Sequence, residues 1–221
     1  MTRRNAALLD VDGTLVDCNY FHAVAWFRAF RAHGRTVLLS DIHRAIGMGA
    51  DQLLERLTED ADGKAIEESW QQEFARLRDE IPATPGAGEL VRVLHQRGLT
   101  TVYATSGQPD DVEVLRKVIG ADEHVDLEVN SSEVASSKPA PDIFELALRR
   151  ADVAANQAVV VGDTRWDIEA AAACGLRCIA VTTGGISAAE LREAGAAEVY
   201  ATPAQLLQAL DRSPLGRLLS E

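Results

Sequence analysis

Ala6-Ala7-Leu8-Leu9-Asp10-Val11-Asp12-Gly13-Thr14-Leu15-Val16-Asp17 is the most informative stretch of the chain. It begins as an apolar run with no polar helical face and stops abruptly at two carboxylates one residue apart, followed by Gly13 and Thr14. Such a run reads as a buried strand of a parallel sheet, here delivering acid at its carboxyl end. In open α/β sheets that end is where ligands bind. If Asp10 and Asp12 flank a tight turn they converge, and two carboxylates at one point repel unless a cation or a shared proton lies between them. The stretch therefore asks for a metal. Gly13 permits a close turn and is expected to offer its amide to an anion. An ordinary Asp-Gly turn after a strand accounts for the same residues without any site.

The bulk properties narrow the field. A chain of 221 residues can bury a substantial core and fits one domain with an insertion, or two small domains. A formal net charge of -12 argues against nucleic acid or an anionic membrane as partner, since either wants a basic face. No apolar run approaches the ~20 residues that span a bilayer, and no signal-like apolar segment precedes the first strand, so a cytoplasmic location is expected. Cys18, Cys174 and Cys178 form no disulfide framework. Cys174 and Cys178 read as core residues around a helix end at Gly175.

Following the chain, Phe21, Val24, Ala25, Phe27 and Phe30 fall at helical spacing between Tyr20 and His33, with Gly34 as a stop. Ser40 reads as the N-cap of a helix through Arg44, and a further helix spans Asp51 to Leu57. Ile66, Trp70, Phe74 and Leu77 share one face of a segment from Lys64 to Ile81 that Pro82 and Pro85 end. Nothing between Asp17 and Pro85 reads as a strand. From Gly88 onward helices alternate with strands over Leu99 to Ala104, Asp126 to Val129, Ala158 to Val161, Arg177 to Val181 and Glu198 to Tyr200. That alternation predicts an α/β fold, a doubly wound, Rossmann-like parallel sheet with an inserted all-helical cap domain. The expected core is residues 1–16 and 86–221, and the cap is 17–85. The tail from Ser213 is weakly patterned and is expected to be loose.

Each later strand end carries a polar residue suited to a phosphate site. Thr105 ends the second strand, where its hydroxyl can serve a phosphoryl oxygen or simply cap the next helix. Lys138 lies in Ser136-Ser137-Lys138-Pro139-Ala140-Pro141-Asp142, a loop that prolines and serines would hold in place, although a lone loop lysine is more often a solvated charge. Gly162 and Asp163 repeat the opening logic, and Asp167, four residues on, lies on the same side of a starting helix. A helix-start acid favoured by the dipole explains Asp167 equally well.

Taken together, Asp10-Val11-Asp12 with Gly13 and Thr14, then Thr105-Ser106, Lys138, and Gly162-Asp163 with Asp167 resemble, in order and type, the motifs of the haloacid dehalogenase superfamily. The resemblance covers the whole chain, and the helical insertion after the first motif resembles the subclass with a helical cap. It implies a Mg²⁺-dependent phosphatase acting on a small phosphorylated metabolite; either a monomer or a homodimer is expected. Asp10 would be the nucleophile and Asp12 the general acid and base. Mg²⁺ would be held by Asp10, the backbone carbonyl of Asp12 and Asp163, with Asp167 orienting a metal water or Lys138. Lys138 and Thr105 would balance transition-state charge, and Gly13, Thr14 and Ser106 would bind the substrate. Dehalogenases of the superfamily usually lack an acid at the position of Asp12, and phosphonate-cleaving relatives need a cap lysine, for which Lys64 is the only candidate.

Competing interpretations share these residues. His22 sits where β-phosphoglucomutase-like phosphomutases have a hinge histidine, and is expected near Asp12 when the cap closes; a histidine there also occurs in plain phosphatases, and an exposed helix edge explains it too. A signalling receiver domain likewise clusters acids, a Thr and a Lys, but the cap-sized insertion and Asp12 favour turnover. A catalytically idle scaffold is disfavoured because no member of the set is missing. The loop Ile46-Gly47-Met48-Gly49-Ala50 is the expected specificity element, with His43, Arg44 and Arg56 beside it. An Arg44 contact would favour a carboxylated ester such as phosphoglycolate.

Overall fold

The computed structural model describes residues 5–58 and 63–220; the expected outer domain limits at 1 and 221 lie outside them. In chain order the elements are β1 (Ala6–Leu9), α1 (Asn19–Ala32), α2 (Leu39–Ala45), α3 (Ala50–Leu57), α4 (Gly63–Ala75), α5 (Ala87–Gln96), β2 (Thr100–Ala104), α6 (Pro109–Ile119) and β3 (Leu127–Val129). There follow α7 (Asp142–Ala151), β4 (Ala158–Gly162), α8 (Arg165–Ala173), β5 (Arg177–Val181), α9 (Ala188–Glu193), β6 (Glu198–Tyr200), α10 (Pro203–Gln208) and α11 (Pro214–Leu219). The strands form one sheet in the order β3-β2-β1-β4-β5-β6, parallel throughout.

Side chains alternate across the sheet. On β1, Ala7 and Leu9 join the core on one face while Ala6 and Leu8 join that on the other. With helices over both faces, every residue of β1 is buried, which is why the strand carries no alternating polar pattern. Leu9 is level with Tyr103 on one side and Val161 on the other, so Asp10, Thr105 and Asp163 emerge at the same edge. The order reverses between β1 and β4, and a crevice at such a reversal is the natural ligand position of an open sheet.

Helices α1 to α4 fill the interval between β1 and α5. Trp26 of α1 stacks on Trp70 of α4 with centroids 4.7 Å apart and planes 6° apart, a contact contributing about 1 kcal/mol beyond area burial. The aromatic face of α1 thus packs into this helical layer's own core.

Three local expectations are corrected. Ser40 lies inside α2, whose N-cap is Leu38 without a side-chain cap. The segment from Lys64 does not run to Ile81 as one helix: α4 ends at Ala75, a 3-10 turn spans Arg78–Glu80, and Ile81 is extended, as a residue preceding proline must tend to be. The tail is not loose, because Ser213 caps α11 through the Gly216 amide and buries Leu215 and Leu218 in the core.

Candidate active site

Four strand ends bring the site together. The turn after β1 sends Asp10 and Asp12 in different directions. Asp10 is 5% exposed and accepts from Lys138 Nζ at 2.6 Å. Lys138, 1% exposed, also donates to Asp167 Oδ1 at 2.7 Å and to the Ala104 carbonyl at 3.2 Å, so all three donors of its ammonium are used. Asp12 instead faces α1: it accepts from Thr105 Oγ1 at 2.9 Å and Cys18 Sγ at 3.2 Å, and its Oδ1 lies 3.2 Å from His22 Nε2. His22 is held by stacking on Phe74 of α4, centroids 3.9 Å apart.

Asp163 is fully buried. It accepts from Asn19 Nδ2 at 2.7 Å and from Thr14 Oγ1 at 3.1 Å. Thr14 Oγ1 is also 3.0 Å from Asp10, so its single proton serves one carboxylate at a time. Asp167, on α8, accepts from the amide and hydroxyl of Thr164, which caps that helix. Two glycines make room for Asp163. A Cβ on Gly13 would stand 2.3 Å from its Oδ2, and one on Gly184 only 1.7 Å away. Gly184→Ala is therefore expected to displace Asp163 and its partner Asn19, destabilising by about 1–3 kcal/mol and lowering turnover far more than stability; unchanged melting and turnover would show that the cradle yields freely.

Electrostatics separate the acids. Burial pushes Asp10 up to about 7 in spite of Lys138, with Asp167 and Asp12 adding to the rise. Burial, then Asp10 and Asp167, drive Asp163 well above the carboxylate range. Burial also acts to raise Asp12, but the hydrogen bond and charge of His22, with Cys18 and Thr105, outweigh it and bring Asp12 to about 2. Burial works against the charge on Lys138, but the charges and hydrogen bonds of Asp10 and Asp167 outweigh it and hold the ammonium protonated.

Asp10, Asp163 and Asp167 offer oxygens within 4.8 Å of one another. Three buried carboxylates against one ammonium leave a negative excess that only protons or a cation can relieve, and an all-oxygen donor set suits a hard divalent ion. Asp167 already gives one oxygen to Lys138 and the other to Thr164, so Asp10 and Asp163 are the better placed pair.

A cavity of about 60 Å³ opens over this floor, lined by Asp10, Asp12, His22, Gly47, Met48 and Ser106, with Trp26, Ile46, Ala50, Leu53, Trp70, Gly107 and Gln108. Gly47, at φ +94°, brings the loop so close that a Cβ would meet Thr164 at 2.8 Å.

Several expected contacts are redirected. The Gly13 amide donates to the Val16 carbonyl, so it is not offered to an anion. Thr14 serves the two carboxylates rather than a substrate. Thr105 donates to Asp12 and accepts from the Gly107 amide. Arg44 does not line the cavity over the acids: the Glu190 carboxylate of α9 draws its guanidinium into a separate cavity between α2 and α9. Arg56 lies over the Trp166 ring, and His43 is 2.9 Å from the Gly184 carbonyl. Asn19, Gly184, Trp26 and Trp70 are site residues that sequence reasoning passes over. Only Thr164 had a usable signal, the Thr-x-x-acid capping pattern with Asp167.

A doubly wound parallel sheet with carboxylates and a buried lysine at its switch point defines an α/β enzyme whose chemistry is centred on acids. The haloacid dehalogenase-like hydrolase family model matches residues 5–175, and the chain belongs to that family. It is 30% identical over 182 residues, covering 80% of this chain and 85% of the relative, to a validoxylamine A 7'-phosphate phosphatase from Streptomyces hygroscopicus subsp. limoneus. A crystal structure of a hydrolase from Pseudomonas syringae is 33% identical, with a TM-score of 0.88, covering 95% of this chain and 99% of that one. CbbY from Rhodobacter sphaeroides, solved in complex with phosphate, is 28% identical with a TM-score of 0.76, covering 94% and 99%.

Proposed function

We propose that this chain is a Mg²⁺-dependent phosphatase that hydrolyses a small phosphate monoester through a phosphoryl group carried transiently on Asp10. The observation that carries this is the divergence of two acids on one turn: Asp10 sits on Lys138 at 2.6 Å, while Asp12 is turned 3.2 Å from His22. Residues 17–85 act as the cap over a core of 1–16 and 86–221.

In the first half-reaction Asp10 attacks phosphorus, the bond from phosphorus to the ester oxygen breaks, and Asp12 donates its proton to the departing alkoxide. In the second, Asp12 takes a proton from water, hydroxide attacks phosphorus, and Asp10 and phosphate separate. A proton on Asp12 in the first half requires its low value to rise, which the dianionic ester beside it promotes. Lys138 holds Asp10 in line and opposes charge on the phosphoryl oxygens. Ser106, whose hydroxyl is buried with no partner, is free to donate to one of those oxygens. Mg²⁺, held by Asp10, Asp163 and the Asp12 carbonyl with Asp167 behind, would neutralise the phosphate and the acids that face it.

The test is phosphate release from phenyl phosphate and a panel of alkyl and sugar phosphates, with Mg²⁺ and with chelator. Release that needs Mg²⁺ and passes through an acid-precipitable, hydroxylamine-sensitive phosphoenzyme is the expected result. Phosphate moved between positions of a sugar without release would place the chain among mutases instead.

A further inference from the structure

Asn19 is a buried polar side chain at the start of α1, and the helix does not use it. Asparagine at a helix start commonly serves as the cap. Here the N-cap is Cys18, with no side-chain cap, and the Asn19 amide turns to residues 144 and 165 positions away. Its Nδ2 donates to Asp163 Oδ2 at 2.7 Å and to the Gly184 carbonyl at 3.2 Å, so both amide hydrogens are spent on the site.

These bonds fix which oxygen of Asp163 is available. Oδ2 lies in the crevice between Gly13 and Gly184, and Asn19 is the only donor to it among the described residues. Oδ1 is left on the side of Asp10, since Thr14 Oγ1 is 3.1 Å from it and 3.0 Å from Asp10 Oδ2. An amide suits this task better than an ammonium. It orients the carboxylate without neutralising it, so the charge of Asp163 stays available to a divalent ion. Lys138, by contrast, is bound to Asp10 and Asp167.

We propose that Asn19 is a positioning residue for the divalent ion: its amide holds Asp163 Oδ2 in the glycine crevice and leaves Oδ1, on the Asp10 side, as the oxygen offered to the ion. The inference rests on the Mg²⁺-dependent function proposed above. A partner that orients a ligand from behind governs metal affinity by about 10–100-fold without touching the metal. Asn19 does not line the cavity over the acids, so its effect should fall on ion affinity and spare the chemical step. The Gly184 carbonyl also lies 2.9 Å from His43 Nε2, a contact from α2 that leaves the partners of Asp163 untouched. His43 thus provides the control for a general loosening of this loop.

The experiment titrates Mg²⁺ calorimetrically into the metal-free wild type, Asn19→Ala, Asn19→Ser and His43→Ala, and follows hydrolysis of phenyl phosphate against Mg²⁺ concentration. The serine hydroxyl ends one bond short of the asparagine nitrogen, so both Asn19 variants lack the bond to Asp163. In both, the Kd for Mg²⁺ and the Mg²⁺ concentration at half-maximal rate should rise about 10–100-fold, while kcat at saturating Mg²⁺ is largely kept. His43→Ala should leave the Kd nearly unchanged. An unchanged Kd in a folded Asn19 variant overturns the proposal, as does a rise in His43→Ala equal to that in Asn19→Ala. Should Asn19→Ala not fold, Asn19→Ser decides alone. If the wild type binds no Mg²⁺, the Mg²⁺-dependent function fails and takes this inference with it. If it binds Mg²⁺ but hydrolyses no ester, the phosphatase function fails alone, and the calorimetric comparison still decides the role of Asn19.

Discussion

Replacing Lys138 with methionine is expected to cost about 3–5 kcal/mol of stability and to reduce turnover by about a thousandfold. Methionine keeps the length of the stem against the Phe144 ring, which the ammonium approaches to 5.3 Å, so little of the loss comes from a cavity. What disappears is, among the described residues, the only ammonium facing Asp10 and Asp167, both bound within 2.7 Å. Asp10, Asp163 and Asp167 are then left to repel one another out of reach of water. The loss should grow with pH. Asp10 and Asp163 are already pushed upward by burial, so in acid they fold protonated and the missing ammonium matters less; as pH rises toward and past about 7 their charge must be carried unpaired. Urea titrations at pH 5 and pH 8 measure both effects. A loss below about 1 kcal/mol, or one independent of pH, would show that the lysine is not the counter-charge of this cluster.

Asp10→Asn should move stability and activity in opposite directions. Asparagine cannot form the acyl phosphate, so phosphate release should fall at least about 10⁴-fold. Yet without divalent metal the variant should be the more stable protein at pH 8. The sign follows from linkage. Asp10 titrates at about 7 in the fold against an ordinary 3.8, so the native state binds the proton more tightly than the unfolded chain does. The stability this supplies is complete below pH 4 and is lost as pH rises through about 7. A neutral amide abolishes that loss while Lys138 keeps Asp167. Melting temperature against pH, in chelator and in Mg²⁺, is the measurement. The wild type should gain more from Mg²⁺ than the variant. A variant less stable at pH 8, or one that gains equally from Mg²⁺, would mean that Asp10 neither strains the metal-free fold nor holds the ion.

The chain's local signals carried a large part of this. Apolar runs buried on both faces, Gly and Pro punctuation and helix-period patterns are short-range properties, so the parallel sheet, the helical insertion after Asp17 and the family itself were legible from residues such as Asp10-Val11-Asp12-Gly13-Thr14 and Gly162-Asp163. What the linear chain could not show is the direction in which a side chain leaves its helix and what it then meets. Arg44, beside the glycine loop in sequence, turns to Glu190, whereas Asn19, an unremarked residue at a helix start, reaches Asp163. Trp26 and Trp70 obey the periodicity of an ordinary core face, and nothing in that periodicity distinguishes a core from the wall of a cavity. Such assignments depend on contacts between residues dozens of positions apart, where burial and charge are set by neighbours that only the folded chain brings within reach.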